Sequence, residues 1–126
     1  MHIFKTILLI LILFFWHVSQ GQKEVYGLAD SLIATQDYFG AYQMYSSIFE
    51  SDTSDKKAVE GMASCLYILG DLQQSKAYYH RLESLDDHKS NAVTRLASIY
   101  ETQQNIPKAI KYNIALTKLY PNNPVY

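Results

Sequence analysis

The side chains suited to chemistry at neutral pH are few. The chain has four histidines, His2, His17, His80 and His88, and one cysteine, Cys65. His2 and His17 lie in or beside an apolar N-terminal run and so belong to no folded site. No His-x-x-x-His or Cys-x-x-Cys pair occurs, so the usual spacing for two zinc ligands on one element is missing. His80 can reach Glu83 or Asp87 along a helix, which describes a surface pair better than a metal site. A lone Cys65 cannot close an internal disulfide, and its expected role is that of a small buried apolar side chain. Asp86 and Asp87 are adjacent and point in different directions, unlike a paired acid and base. No glycine-rich phosphate loop and no serine of the nucleophile-elbow type is found. The residues therefore point away from an enzyme, and no metal or cofactor is expected.

Composition narrows the class further. Of 126 residues, 48% are apolar and 18% charged, a globular balance rather than a disordered one. A formal net charge of −1 gives nothing to draw nucleic acid. Five Gly and three Pro are too few for a fold of short strands and turns, so helices are expected. Eleven Tyr, each with an apolar ring and a polar tip, suit both helix seams and a binding surface.

Residues 1–21 read as an address. Lys5 and the α-amino group give a positive start, and Ile7 to Trp16 is an unbroken apolar run of ten residues. That run is short for a bilayer, which a helix crosses with about 20 residues. Ser19 and Gly21 place small side chains where signal peptidase accepts them, so cleavage is expected after Gly21, leaving Gln22 first. The competing reading is an uncleaved anchor, with Phe14, Phe15 and Trp16 at the membrane interface.

The rest of the chain repeats. Blocks 22–55, 56–89 and 90–123 align without gaps at an interval of 34 residues. Place four holds Val25, Val59 and Val93; place seven Leu28, Met62 and Leu96; place eight Ala29, Ala63 and Ala97; place eleven Leu32, Leu66 and Tyr100. These steps of three and four stay on one helix stripe. Places seventeen, twenty, twenty-four and twenty-seven make a second stripe, with Ala41, Ser75 and Ala109 at place twenty. Between the stripes stand Gln36-Asp37, Gly70-Asp71 and Gln104-Asn105, which suit helix ends and turns. Each block is thus expected to be a hairpin of two amphipathic helices, with small residues where the helices approach. Pro107 stands where a second helix begins, and Pro121 follows the last helix.

This pattern resembles the tetratricopeptide repeat, a period-34 helix–turn–helix unit. Leu96, Ala97, Tyr100, Ala109, Leu116 and Tyr120-Pro121 carry the likeness best, with Leu69-Gly70-Asp71-Leu72 and Tyr79 in the second block and Asp37-Tyr38, Ala41 and Tyr45 in the first. Val stands at place four where the family favours Trp, and Thr53 and Asp87 replace its closing Pro. The resemblance implies an all-α solenoid of three hairpins stacked in a right-handed superhelix, behind a signal-peptide helix. It also implies a concave groove lined by the first helix of each hairpin. The groove places hold Lys23, Tyr26, Asp30, Ile33 and Ala34; Lys57, Glu60, Ser64, Tyr67 and Ile68; and Asn91, Thr94, Ser98, Glu101 and Thr102. Tyr26 and Tyr67 are the foremost candidate contacts, because rigid aromatics dominate binding hot spots; the alternative is that they are seam residues. The family's carboxylate clamp of Lys and Asn is absent, since its places hold Tyr26 and Asp30, Glu60 and Ser64, Thr94 and Ser98.

Solenoids need polar outer faces at their ends. Pro124-Val125-Tyr126 reads as the start of a further block, and the flank of the third block is expected to show Ile110, Ile114 and Tyr112 to water. That end suits either a fragment of a longer array or an oligomerisation or partner surface. Lys56-Lys57 and Asp86-Asp87-His88, at the junctions, read as solvated ends. The function expected is a protein-binding scaffold of the bacterial cell envelope, exported and periplasmic, with a protein or peptide ligand and membrane contact only through residues 1–21 if uncleaved. The alternative is the sensory input region of a regulator anchored in the inner membrane.

Overall fold

In the computed structural model, which describes residues 1–85 and 90–123, six helices follow one another: α1 His2–Ala34, α2 Tyr38–Ser51, α3 Lys56–Leu69, α4 Leu72–Leu85, α5 Ser90–Thr102 and α6 Ile106–Leu119. No strand occurs among the described residues. The readings of Asp86-Asp87-His88 and of Pro124-Val125-Tyr126 lie outside the described residues.

The turns show why the chain doubles back where it does. Gln36, Gly70 and Gln104 occupy the same place in each block and share a left-handed backbone, with φ of 64°, 86° and 55°. The amide of each bonds to the carbonyl three residues back, on Ile33, Tyr67 and Glu101. The next amide, of Asp37, Asp71 or Asn105, reaches five residues back, to Leu32, Leu66 or Tyr100. This closure satisfies carbonyls that a helix end would leave bare. The side chains of Asp37, Asp71 and Asn105 then accept from the amides of Gly40, Gln74 and Lys108, starting the second helix. One residue ends a helix and its neighbour begins the next. The junction between the first two hairpins closes with Asp55 N–H on the Asp52 carbonyl, and Asp55 then caps α3 through the Ala58 amide.

Packing is sequential, each helix against its neighbours in the chain. Ala29, Ala63 and Ala97 are buried, as are Ala41, Ser75 and Ala109 and then Ile48, Leu82 and Leu116. Ser75 donates its buried hydroxyl to the Ala63 carbonyl at 2.8 Å, so the serine in the small-residue place leaves no unpaired group. The core has two parts. Ala29, Ala41, Tyr45, Met62 and Cys65 form the seam between the first two hairpins, and a larger cluster from Val59 to Leu116 joins the second and third. Met62 and Cys65 thus face back from α3, while Val59 and Ala63 face forward.

Two expectations of burial differ. Leu28, on the core stripe by spacing, is 51% exposed on α1. Tyr112, expected at the surface, is 5% exposed, whereas Ile110 and Ile114 are open to water at 53% and 52%. In α6 the buried stripe runs Ala109, Tyr112, Leu116, while in α2 it runs Ala41, Tyr45, Ile48. A step of three replaces a step of four, and both stay on one face.

α1 carries the N-terminal apolar run straight into the first hairpin, with no break at Gly21. It is about 50 Å long at 1.5 Å per residue. An 18-residue window of it is long and apolar enough to cross a membrane by length and composition, with none of that window buried.

Candidate protein-binding groove

The candidate groove is a pocket between the first two hairpins, built from α1 and α3 with one wall from α2. Ile33, Lys57, Glu60 and Ser64 converge on a pocket of about 240 Å³ whose remaining lining is Tyr45 and Gly61. Four of these are groove places named from the sequence. Tyr45 and Gly61 were not, and they act together. A methyl on Gly61 would stand 2.5 Å from the Tyr45 ring, so only glycine lets that ring lie flat against α3. The ring places an aromatic wall beside Ile33 and sends its hydroxyl to Asp30 Oδ1 at 3.2 Å. An isolated glycine within a helical pattern was the available signal.

The polar groove residues join one hairpin to the next. Lys57 lies 3.6 Å from Asp30 and stands over the Tyr26 ring at 4.3 Å. Tyr26 donates to Asp55 at 2.5 Å, the carboxylate that caps α3. In the next seam Asn91 donates to Glu60, and Tyr67 pairs with Ser98 at 3.0 Å. Arg95 lies over the Tyr67 ring at 5.1 Å. Tyr26 and Tyr67, proposed as contacts, are therefore half-buried seam residues with their hydroxyls already engaged. Burial, the hydrogen bond to Asp55 and its charge push the Tyr26 hydroxyl far above the usual tyrosine range. Burial first and Asp30 second push Tyr45 up to about 12.

The other named places scatter. Ser64 pairs with Tyr79 at 3.0 Å. Glu101 accepts from Asn113 of α6 at 2.8 Å. Thr94 and Thr102 donate to the carbonyls of Ser90 and Ser98 within their own helix. Lys23 is exposed on α1, and Ala34 and Ile68 are also exposed. The pocket between the first two hairpins is the part of the groove with both an apolar wall and charged rims.

His80 pairs with Glu83 along α4, as expected, and makes further contacts with the third hairpin. Its Nε2 lies 2.8 Å from the Tyr100 hydroxyl and its Nδ1 3.3 Å from Glu83, which also accepts from Tyr112 at 3.1 Å. Tyr100 and Tyr112 stack with ring centroids 5.5 Å apart. The four side chains fasten α4 to α5 and α6. Cys65 lies in the first seam, where burial pushes its thiol up and away from reactivity. Among the described residues no three metal-ligating side chains gather.

No family model and no curated protein matches this chain. Solved structures do. The Yersinia enterocolitica type III secretion translocator chaperone SycD superposes with TM-score 0.76 and 17% identity, over 84% of this chain and 73% of that one. The same chaperone in complex with a peptide of the translocator YopD gives 0.74 and 17%, over 81% and 78%. The first tetratricopeptide repeat domain of Spaghetti (RPAP3), bound to the HSP90 peptide SRMEEVD, gives 0.74 and 17%, over 83% of each chain. At such identities the likeness is one of fold, and the chain has the helical-repeat architecture of tetratricopeptide proteins.

Proposed function

We propose that this chain is a non-catalytic scaffold of the bacterial cell envelope that holds a protein or peptide segment in the groove between its first two hairpins. The observation that carries this reading is the pocket itself. Ile33 and Tyr45 offer an apolar wall to one small aliphatic side chain, while Lys57 and Glu60 on the rim can pair with the ligand's backbone or polar neighbours. Two of the proteins similar in fold were solved with a peptide bound, SycD with a YopD peptide and the Spaghetti domain with an HSP90 peptide. An address in the envelope is supported by the apolar N-terminal part of α1, whose side chains have no protein to pack against. It serves either as an export signal removed after Gly21 or as an inner-membrane anchor.

One observation favours the second reading, a sensory input region of an anchored regulator. α1 runs unbroken from the apolar segment to Ile33 of the pocket, so a shift at the groove would pass directly to the anchor.

The test is capture of partners from envelope extracts by the full chain and by a Lys57→Glu/Ser64→Arg variant. Both positions are at least partly open to solvent, so the variant should keep its helicity. The expected result is loss of the captured protein by about tenfold or more, as for a hot-spot change. Undiminished capture by the folded variant would rule the groove out.

A further inference from the structure

The helix that lines the groove also carries the apolar segment, and this fixes how far the groove can stand from a bilayer. α1 runs unbroken from His2 to Ala34, with no turn or cap at Gly21. The large apolar side chains from Ile3 to Val18 are all 45% or more exposed. A span from Ile3 to Gln20 is about 27 Å long, close to the roughly 30 Å of a hydrocarbon core. Lys5, near its start, can extend its ammonium to the headgroups. Gln20, Gln22, Lys23 and Glu24 mark the polar edge at its other end. Ile33 of the pocket stands only 13 residues past Gln20 on the same helix. That is about 20 Å along the axis, and any tilt of the helix brings it nearer the bilayer.

We propose that the groove's ligand is the extended segment of another membrane protein just outside its transmembrane helix, with an aliphatic side chain about six residues from the bilayer. The inference rests on the groove reading above and on α1 keeping its apolar part as an anchor. An extended chain covers about 3.3 Å per residue, so about six residues reach the level of Ile33. The size of the pocket favours a partner held in the same membrane. A pocket of about 240 Å³ takes one aliphatic side chain. Its rim charges are already partly satisfied within the chain, Lys57 by Asp30 at 3.6 Å and Glu60 by Asn91. So small a site leaves little surplus over the cost of association for a freely diffusing partner. Holding both proteins in one bilayer raises the effective concentration, as a short tether does to the order of millimolar, with no added contact.

The test uses the full chain in cells, with a photo-reactive amino acid at Ser64 and the crosslinked residue of the partner located by mass spectrometry. The intact mass should show that the chain retains residues 1–21. The crosslink should fall on an integral membrane protein, about six residues from a transmembrane segment. A second variant carries seven helix-forming residues inserted between Gln20 and Gly21, both of which are exposed. Two added turns raise the groove by about 10 Å and nearly keep its facing. The crosslink should then move outward along the same partner by about three residues, or fall about tenfold in yield, with the circular dichroism still that of a folded helical repeat. A chain cut after Gly21, a soluble partner, or a crosslink unchanged in site and yield by the insertion would overturn the proposal and leave the groove reading standing. No crosslink from Ser64 in the parent chain would end both.

Discussion

At Gly61 a methyl group would meet the body of the Tyr45 ring, not its flexible end. Tyr45 is buried in the first seam and cannot step aside cheaply. Gly61→Ala gains about 1 kcal/mol of helix propensity but incurs overpacking of about 1–3 kcal/mol. The expected outcome is a lower Tm with a disturbed groove. Adding Tyr45→Leu should restore part of the loss, because the smaller side chain makes room; a Tm unchanged by Gly61→Ala would show that the ring is not held there. Much of the site at this scale was legible. Ile33, Lys57, Glu60 and Ser64 were named from their places in the block and do share one pocket. Tyr45 was assigned to the core stripe, and it is core, but its ring edge is also the pocket wall. Spacing tells which face a residue occupies and not how far a large ring extends past that face. The engagement of Tyr26 with Asp55 and of Tyr67 with Ser98 depends on contacts between neighbouring hairpins, which periodicity within one hairpin does not encode.

The helix ends carry the repeat more faithfully than the helices. Gln36, Gly70 and Gln104 share one left-handed conformation, yet only Gly70 is the residue that adopts it without steric cost. Gln36→Gly and Gln104→Gly should each stabilise the fold by roughly 1 kcal/mol, and Gly70→Gln should destabilise it by a similar amount. Chemical denaturation of the three variants measures this directly, and a destabilising Gln36→Gly would contradict the turn geometry. These turns were legible because Asp37, Asp71 and Asn105 stand at one place and cap one way. The burial of Tyr112 was not legible, since α6 uses a step of three where α2 and α4 use four. Nor was the role of His80. Its partner Tyr100 lies on the next hairpin, and from the sequence only the helix neighbours Glu83 and Asp87 are visible.

Across the whole molecule the hairpins pack around tyrosines whose burial favours the neutral phenol. Tyr45 is pushed from 10.0 up to about 12, and Tyr26 and Tyr112 are also raised, in each case by burial first and by a neighbouring carboxylate after it. The native state therefore holds protons that the unfolded chain releases above pH 10. Their contribution to stability is complete below that pH and is lost as pH rises toward 12. Alkaline titration followed by circular dichroism and phenolate absorbance should show unfolding and ionisation together in that window. Ionisation of all eleven tyrosines near pH 10, with helicity intact, would contradict the burial of these three.

The claim on which the functional account rests is that the groove between the first two hairpins, and not the outer surface, meets the partner. A photo-reactive amino acid placed in the full chain at Ser64, in the pocket, or at Ala77, exposed on α4, tests it most directly. After irradiation in cells, the account predicts a discrete crosslinked protein from position 64 that position 77 does not give. A crosslink of equal yield from Ala77, or none from Ser64, would contradict it.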